Sequence, residues 1–277
     1  MTNYSRFLMA GLIALAASTT AMAADYDPPI VVDRAPEFVP VEVGNGWYLR
    51  GDIGYTFGAD VSGADYRVFN AGVYTPAAFS NTSLDDNYVW GIGFGYQFNS
   101  WLRADATFEG HQNDFTGAAP VALPCAGGAV GDTCNTTFAS QVTTYSTLAN
   151  LYGDLGTYAG FTPYVGAGAG MSRVQWNGAT SVQNCVGAGC PVVPAPVASV
   201  HAGESSWRFT YALMAGVAYD VSRNLKVDLG YKFKQITGGD MFNFDPASIG
   251  AGATGIQGTD DGLVQHEVRL GVRYSLW

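Results

Sequence analysis

Few side chains in this sequence have the type and spacing that catalysis or metal binding requires. His111, His201 and His266 are isolated from one another, and no two of them stand at metal-ligand spacing. His111 follows Glu109 by two residues, which could serve acid–base chemistry, but no nucleophile is identifiable beside them. The glycines of residues 91–95 lack the spacing and the following helix of a nucleotide-binding loop. The sequence therefore predicts no catalytic residue, no metal site and no cofactor.

The charged residues show a stronger pattern, because many of them alternate with apolar residues along short segments and so share one face. Eight of these are basic and seven are acidic, which is nearly balanced. Charges that face a low-dielectric interior must be paired, so we predict a network of ion pairs inside the protein. The net charge of −10 argues against nucleic acid as a partner. The predicted lumen network consists of Arg50, Asp52, Arg103, Asp105, Glu109, Asp154, Arg208, Asp220, Lys226, Asp228, Lys232, Lys234, Glu267, Arg269 and Arg273.

Residues 88–98 show most clearly which kind of element carries this face. Every second side chain from Tyr88 onward is large and apolar or aromatic, and the side chains between them are small or polar. Because successive residues of a strand point to opposite faces, this period of two predicts a β-strand. Seven further segments alternate in the same way. The eight predicted strands are residues 47–57, 88–98, 101–111, 143–155, 163–173, 207–220, 225–234 and 264–276.

The connections between these segments are of two kinds. Three are short, and four are long enough to be uncommon in a compact domain. Short turns at one end, long loops at the other and both termini at the short-turn end are typical of outer-membrane barrels. The sequence therefore predicts an all-β fold, an eight-stranded antiparallel up-and-down transmembrane β-barrel with four long extracellular loops. The short turns are residues 99–100, 156–162 and 221–224, and the long loops are residues 58–87, 112–142, 174–206 and 235–263.

Volume and composition indicate which face of the strands points outward. Eight strands enclose an interior just wide enough for side chains, so the bulky rows would overfill it. A soluble lipocalin-like barrel with those rows inside is the alternative. Charged residues make up only 13% of the chain, and no apolar run after the N-terminus is long enough for a transmembrane helix. We therefore expect lipid outside. Aromatic residues at the strand ends are predicted to form two interfacial girdles: Trp47, Phe57, Phe98, Trp101, Trp207, Tyr219 and Phe233.

The residues before the predicted barrel, which spans 47–277, divide into two segments. Residues 1–23 combine Arg6, an apolar stretch and the small-x-small cleavage site Ala21-Met22-Ala23, which predicts a signal peptide. Residues 24–46 contain four prolines and no periodicity, so we expect a Pro-rich periplasmic leader.

Export would place the four cysteines in an oxidising compartment, where disulfides form. Neither close pair has the spacing of a zinc site. Their positions favour two local bridges, Cys125–Cys134 and Cys185–Cys190, although four cysteines allow three connectivities.

Four motifs follow one another along the chain: GWYLRGDIGY at 46–55, WGIGFGY at 90–96, PYVGAGAG at 163–170 and VRLGVRY at 268–274. Together with the Pro-rich leader they resemble the alphaproteobacterial outer-membrane surface-antigen family, which is related to opacity proteins. The resemblance covers nearly all of the mature chain. One departure concerns the C-terminus, where such barrels usually end in a lipid-facing aromatic residue; here Tyr274 is followed on its face by Leu276, and Trp277 lies one step beyond.

The resemblance implies an integral protein of the Gram-negative outer membrane with structural, envelope-integrity and surface-interaction roles and no catalysis. We expect its partners to be outer-membrane lipid and lipopolysaccharide, the barrel-assembly machinery, and host or environmental surface ligands that contact the loops. A small-solute porin is the alternative function. A lipid-modifying outer-membrane enzyme that depends on His111 is a third.

Overall fold

The computed structural model describes residues 46–118, 123–124, 133–186 and 197–276. Most of these residues are in β-strands, and the one helix among them is the short α1, Pro246–Gly250. No helix in this part of the chain is long and apolar enough to cross a membrane. The strands are β1 Gly46–Ser62, β2 Asp65–Asn70, β3 Val73–Ala78, β4 Asn81–Leu84, β5 Tyr88–Gln97, β6 Leu102–Ala118, β7 Leu123–Pro124, β8 Thr133–Asp154, β9 Phe161–Trp176, β10 Ala179–Val186, β11 Val197–His201, β12 Ser205–Asp220, β13 Leu225–Asn243 and β14 Ile256–Ser275.

Eight of these strands form a ring in which each is hydrogen-bonded to two neighbours. β1 pairs with β5, and the ring continues through β6, β8, β9, β12 and β13 to β14, which pairs with β1. All eight ladders are antiparallel, so the ring is a meander. We call these eight the ring strands. Closing the ring pairs backbone groups that a sheet edge would leave unpaired.

At one end of the ring, which we call the short-turn end, the predicted strand bounds agree with the structure. β5 joins β6, β8 joins β9 and β12 joins β13 there. Local side-chain hydrogen bonds shape two of these turns. Asn99 Oδ1 accepts from the backbone N–H groups of Trp101 and Leu102 at 2.9 and 2.8 Å, and Ser222 Oγ accepts from the N–H of Leu225 at 3.1 Å. Such side-chain-to-backbone bonds replace the ladder bonds that a turn lacks.

At the opposite end, which we call the long-connection end, the predicted start of β5 at Tyr88 is correct and that of β12 is two residues off, but the predicted bounds of the other six ring strands are wrong because these strands extend further. β6 continues to Ala118 rather than stopping at residue 111, and β13 continues to Asn243 rather than stopping at 234. The connections also contain strands of their own: β2 to β4 occupy most of residues 58–87, and β10 and β11 pair in 174–206. The prediction relied on bulky outward side chains, and these end before the strands do.

The outer face of the ring strands is apolar from the short-turn end to about the middle of the longer strands. On β1, Leu49 and Ile53 are exposed, whereas the alternate residues Tyr48 and Asp52 are buried. The bulky row therefore points outward and the charged row inward. We call this outward surface the apolar band. It extends over about the 9–11 strand residues that cross a bilayer.

Beyond the apolar band the inner face of the ring strands becomes apolar and the outer face becomes polar. On β6 the inward residue is Phe115, which is fully buried, while its neighbour Asp114 is exposed; on β9 the inward residue is Trp176 and its neighbour Gln175 is exposed. The inward apolar residues form one packed cluster, which we call the apolar cap. Its members are Val61, Ala64, Tyr66, Val68, Leu84, Phe115, Phe138, Val142, Val174, Trp176, Ala179, Ile236, Met241, Phe242 and Leu263.

Candidate functional site

The interior of the ring, at the level of the apolar band, contains a first set of ion pairs near the short-turn end. Arg50 contacts Asp52 and Asp105, each at 2.7 Å. Arg273 donates two hydrogen bonds to Asp228, at 2.6 and 2.8 Å, which is the strong two-pronged geometry of a guanidinium on a carboxylate. We call this set the lower ion group. Its members are the cations Arg50, Arg103 and Arg273 and the anions Asp52, Asp105, Asp154 and Asp228.

A second set, the upper ion group, lies further from the short-turn end and consists of Glu109, Glu267, Lys232, Lys234 and Arg269. Glu109 Oε1 accepts from Lys232 at 2.5 Å and from Arg269 at 2.8 Å. Glu267 accepts from Arg269 at 2.6 Å, and its other oxygen is 3.0 Å from Lys234. All five side chains are almost completely buried. Two acids therefore hold three cations away from water.

The charges of the two ion groups compensate each other. The lower group has one excess negative charge, and the upper group has one excess positive charge. The interior is neutral as a whole, although neither group is. Because an unpaired buried charge costs several kcal/mol, this balance is a condition for burying so many ions. It also means that changing one charge disturbs both groups.

Tyrosines fill the space between the ion pairs of the lower group. The Arg103 guanidinium lies 3.9 Å from the ring centroid of Tyr152 and 4.8 Å from that of Tyr164. The rings reach inward over glycines, since a Cβ added at Gly166 would overlap Tyr152 and one added at Gly95 would overlap Tyr48. The inward glycines therefore leave the room that the tyrosines occupy.

Gly95→Ala is expected to lower the free energy of unfolding by about 1–3 kcal/mol, the usual cost of overpacking. The new methyl group would meet the Tyr48 ring and the carbonyl oxygen of Ala104, and the carbonyl cannot move without breaking the sheet. Urea unfolding in detergent, followed by tryptophan fluorescence, measures the change. Gly51→Ala is the matched control, because nothing lies within 4 Å of its Cβ position. Equal losses for the two variants would contradict the packing argument.

A layer of neutral polar side chains separates the upper ion group from the apolar cap. Ser172 Oγ is 2.7 Å from Ser146 Oγ and 2.6 Å from Thr210 Oγ1, so the three hydroxyls form a chain across neighbouring strands. His111 belongs to this layer, and its Nε2 lies 2.6 Å from Nε2 of Gln265. The polarity of the interior therefore falls in steps, from charges through hydroxyls and amides to hydrocarbon. The layer consists of Thr56, His111, Asn113, Thr144, Ser146, Ser172, Thr210 and Gln265.

Three residues of the predicted lumen network, Asp220, Lys226 and Arg208, lie outside the two ion groups. Asp220 and Lys226 form a pair of 2.7 Å at the β12–β13 turn, with about a third of each side chain exposed (32% and 31%), so they lie at the mouth of the ring and not inside it. Both residues are at the ends of their strands, where an inward-pointing side chain reaches the opening of the ring and not its interior. Arg208 is buried, but at the long-connection end, where it donates to both oxygens of Asp260 at 2.7 and 2.8 Å.

Asp260 was missed because it lies in residues 235–263, which the sequence predicted to be a loop. Arg208 also donates to the carbonyl oxygen of Asp240 at 2.8 Å and to Ser206 at 2.9 Å. Its guanidinium joins β12 to β13 and β14 above Thr210 and Ile236, the outermost β12–β13 pair in the ladder. Residues 256–263 (IQGTDDGL) show no alternation of polar and apolar side chains, so the sequence contains no signal that identifies Asp260.

The cavity that lies between the two ion groups is small. This cavity of about 20 Å³, measured by the centre of a water-sized sphere, lies among Arg50, Glu109, Tyr152, Lys232 and Arg269. A volume of this size accommodates about one water molecule. The arrangement can therefore hold charges and an isolated water in fixed positions.

The predicted aromatic girdle residues lie on the outer face of the ring strands or at their ends. Trp47, Phe57, Phe98, Trp101, Trp207 and Tyr219 are exposed, and Phe233 is half-buried. Near the short-turn end Trp47 contacts Tyr96 and Phe161 contacts Tyr219, with ring centroids 5.2 and 4.8 Å apart. The prediction did not include several exposed aromatic residues at the other margin of the apolar band. They are Tyr55, Tyr88, Trp90, Tyr145 and Tyr231.

A small polar site lies within the long-connection end, where His201 links three elements. Its Nε2 is 2.7 Å from Ser181 Oγ on β10, and its Nδ1 is 3.2 Å from the carbonyl oxygen of Asn243 on β13. Burial lowers the pKa of His201, and the nearby Asp245 opposes this shift. Ser181 is only 1% exposed, so its hydroxyl has no access for a substrate. The contact therefore joins the β10–β11 hairpin to the rest of the sheet.

Some predicted features lie outside the described residues. These are the signal peptide 1–23, the leader 24–46 except for its last residue, Cys125 and Cys190, and Trp277. Tyr274 and Leu276 are both exposed on the outer face. Neither Cys134 nor Cys185 is a free thiol, and the two stand opposite each other in the β8–β10 ladder. The bridges Cys125–Cys134 and Cys185–Cys190 stay predictions.

The sequence matches a family model described as outer membrane protein beta-barrel domain over residues 10–275. An uncharacterized protein of Brucella suis is 34% identical over 278 residues, which cover 93% of this chain and 94% of that protein. An uncharacterized protein of Brucella melitensis is 34% identical over 277 residues with the same coverage.

Two solved structures are similar to this chain at low sequence identity. Neisserial surface protein A is 16% identical with a TM-score of 0.44, and the match covers 83% of this chain and 97% of that one. The outer membrane protein OprG from Pseudomonas aeruginosa is 12% identical with a TM-score of 0.42, and the match covers 84% of this chain and 96% of that one.

Proposed function

Because this chain belongs to the outer membrane protein β-barrel domain family, we propose that it is a sealed structural barrel that passes no solute. Its location is the outer membrane. The proposed roles are envelope integrity and surface interaction. The short-turn end would face the periplasm and the long-connection end the outside, as in barrels with this asymmetry of connections.

One observation carries this proposal: the interior of the ring is filled in different ways at successive levels. At the level of the apolar band the two ion groups and their tyrosines leave room for about one water in the cavity beside Arg50. Towards the outside, the apolar cap adds side chains such as Phe115 and Trp176, which are 0% and 1% exposed. A solute would have to break ion pairs and then displace packed hydrocarbon, and both are costly.

Conductance in a planar lipid bilayer separates this function from its alternative, a small-solute porin. We expect the purified full chain to insert and to show no single-channel steps in concentrated potassium chloride. An unheated-versus-boiled gel shift shows that the same sample contains folded barrel, and a general porin reconstituted in parallel shows that the bilayer reports channels. Regular conductance steps from folded protein would overturn the sealed barrel in favour of the porin.

A lipid-modifying enzyme that depends on His111 finds less support. His111 is 5% exposed and lies in the neutral polar layer, beside Gln265. Its side chain points into the ring, whereas a lipid substrate would approach from the apolar band. Glu109, the residue that suggested acid–base chemistry, is occupied by Lys232 and Arg269.

We propose a finer assignment within the family, to the alphaproteobacterial surface antigens related to opacity proteins, on the resemblance of the four sequence motifs. In this proposal the chain comprises a signal peptide (1–23), a periplasmic leader (24–46) and an eight-stranded barrel (47–277) with four extracellular connections. Its partners would be outer-membrane lipid and lipopolysaccharide, the barrel-assembly machinery, and surface ligands that contact the long-connection end. The eight antiparallel ladders support the eight-stranded barrel, and the resemblance of the sequence motifs supports the proposed partners.

A further inference from the structure

Arg173 differs from the other basic residues of the ring strands because it points outward. It follows Met171 on the outer face of β9, and both side chains are exposed. The other cations of the ring strands belong to the two ion groups, to the Arg208–Asp260 contact or to the Lys226 pair at the mouth of the ring. In the part of the chain that the structure describes, the Arg173 guanidinium has no ion pair and no hydrogen bond.

The neighbours of Arg173 place it at the margin of the apolar band. In the ladders it stands opposite Tyr145 on β8 and opposite Trp207 on β12, and both aromatic side chains are exposed. Tyrosine and tryptophan side chains combine an apolar ring with a polar O–H or N–H group, and they are characteristic of the depth at which lipid headgroups lie. A charge at the bilayer midplane of a barrel costs about 2–4 kcal/mol, whereas one near the interface costs about 0–1. Arg173 is therefore at the height where its charge is tolerated.

Among the described residues, the outward surface just beyond Arg173 on β8, β9 and β12 is polar and uncharged; the half-buried Glu204, which precedes β12, accepts a hydrogen bond from Asn243 and forms no ion pair with Arg173. Gln175 is the next outward residue of β9, and its ladder partners are Thr143 and Ser205. The exposed carboxylates at this end of the ring belong to other strands, for example Asp114 on β6 and Asp261 on β14. An anion that approaches β9 along the membrane surface thus meets one guanidinium, two aromatic rings and neutral hydrogen-bonding groups.

We propose that Arg173, between Tyr145 and Trp207, binds a phosphate group of an outer-leaflet lipid. A guanidinium presents paired N–H donors that match phosphate oxygens, and a phosphorylated lipid holds its phosphate at the depth where this guanidinium lies. The site is a lipid site and not a site for free phosphate, because its two rings and Met171 lie where the apolar part of a lipid runs. This inference rests on the orientation given in the proposed function, which places the long-connection end outside.

Native mass spectrometry of the full chain in zwitterionic detergent tests the site, with bisphosphorylated lipid A as the probe. We expect Arg173→Ala to weaken binding about tenfold or more, since hydrogen bonds to charged groups are lost, and Arg173→Lys to weaken it less. Arg223→Ala is the matched control, because Arg223 is also exposed and unpaired in the described residues but lies in the short turn between β12 and β13. It is expected to bind as the wild type does.

Dephosphorylated lipid A and inorganic phosphate identify the recognised group. We expect dephosphorylated lipid A to bind the wild type and Arg173→Ala equally weakly, and inorganic phosphate alone to bind neither. Wild-type affinity in Arg173→Ala, an equal loss in Arg223→Ala, or tight binding of dephosphorylated lipid A or of free phosphate would each overturn the inference. Conductance of the same samples is a separate readout, so a conducting barrel that still loses lipid A on Arg173→Ala would contradict the proposed function alone.

Discussion

Glu109→Leu is expected to lower the free energy of unfolding by about 3–5 kcal/mol, the usual cost of removing one partner from a buried ion pair. Its carboxylate accepts from Lys232 at 2.5 Å and from Arg269 at 2.8 Å, and the side chain is 1% exposed. The variant would leave three cations of the upper ion group facing Glu267 alone. Urea unfolding in detergent, with the heat-dependent gel shift as a second probe, measures the loss.

Asp220→Leu is the matched control for this prediction. It also removes an acid from a 2.7 Å contact with a lysine, but this pair is about one third exposed (32% and 31%), and such pairs contribute about 1 kcal/mol or less. The double variant Glu109→Leu/Lys232→Met is expected to recover part of the stability, because it removes the unpaired lysine together with the acid. Similar losses at residues 109 and 220 would show that burial does not set the value of these pairs.

Phe242→Ala is expected to destabilise the protein by about 3–5 kcal/mol, as large-to-small substitutions in a packed core do. Phe242 is 0% exposed in the apolar cap, and its ring stacks on Phe138 with centroids 5.4 Å apart. The strands around it are fixed by their ladders, so the cap cannot close over the space that the ring vacates. Unfolding in urea gives the total loss, and hydrogen exchange of β10 and β13 shows whether the cap loosens first.

Phe94→Ala is the matched control, because it removes a phenyl ring from the outer face and not from the apolar cap. Phe94 is 55% exposed on the apolar band of β5, where lipid or detergent chains can fill the vacated space. A smaller loss than for Phe242→Ala is therefore expected. If the two variants lost the same stability, the cap could not be described as a tightly packed core.

The sequence predicted the ring within the apolar band well, because one physical condition governs that part. Lipid outside demands apolar side chains there, and a closed interior demands paired charges or small residues, so each strand alternates strongly. Residues 88–98 show this alternation without a break, and the structure has β5 at Tyr88–Gln97. The residues of the lower and upper ion groups could be assigned to the lumen from the alternation along each strand alone. Their ion-pair partners could not be assigned, because pairing depends on the register between strands.

The long-connection end could not be predicted in the same way, because there the strands obey the opposite condition. Phe115 and Asp114 on β6 alternate as strand residues do, but with the apolar side chain inward. A search for bulky outward rows does not find this pattern, and residues 112–142 were therefore expected to be loop. The Arg208–Asp260 contact was missed for the same reason, since one partner lies within a predicted strand and the other within a predicted loop.

The exchange of faces beyond the apolar band fixes how deeply the protein can sit in its membrane. Moving the ring inward by two residues would carry Gln112 on β6 and Gln175 on β9 into the acyl chains, and Asp114 would follow. Moving it outward would lift the apolar surface around Phe94 towards the aqueous phase. The interior cannot compensate for either shift, because the ion groups, the neutral polar layer and the apolar cap belong to the same strands and would move with them. Because the height of the apolar band is fixed by the same strands, a bilayer of different thickness meets this protein by stretching or thinning beside it, or the ring tilts.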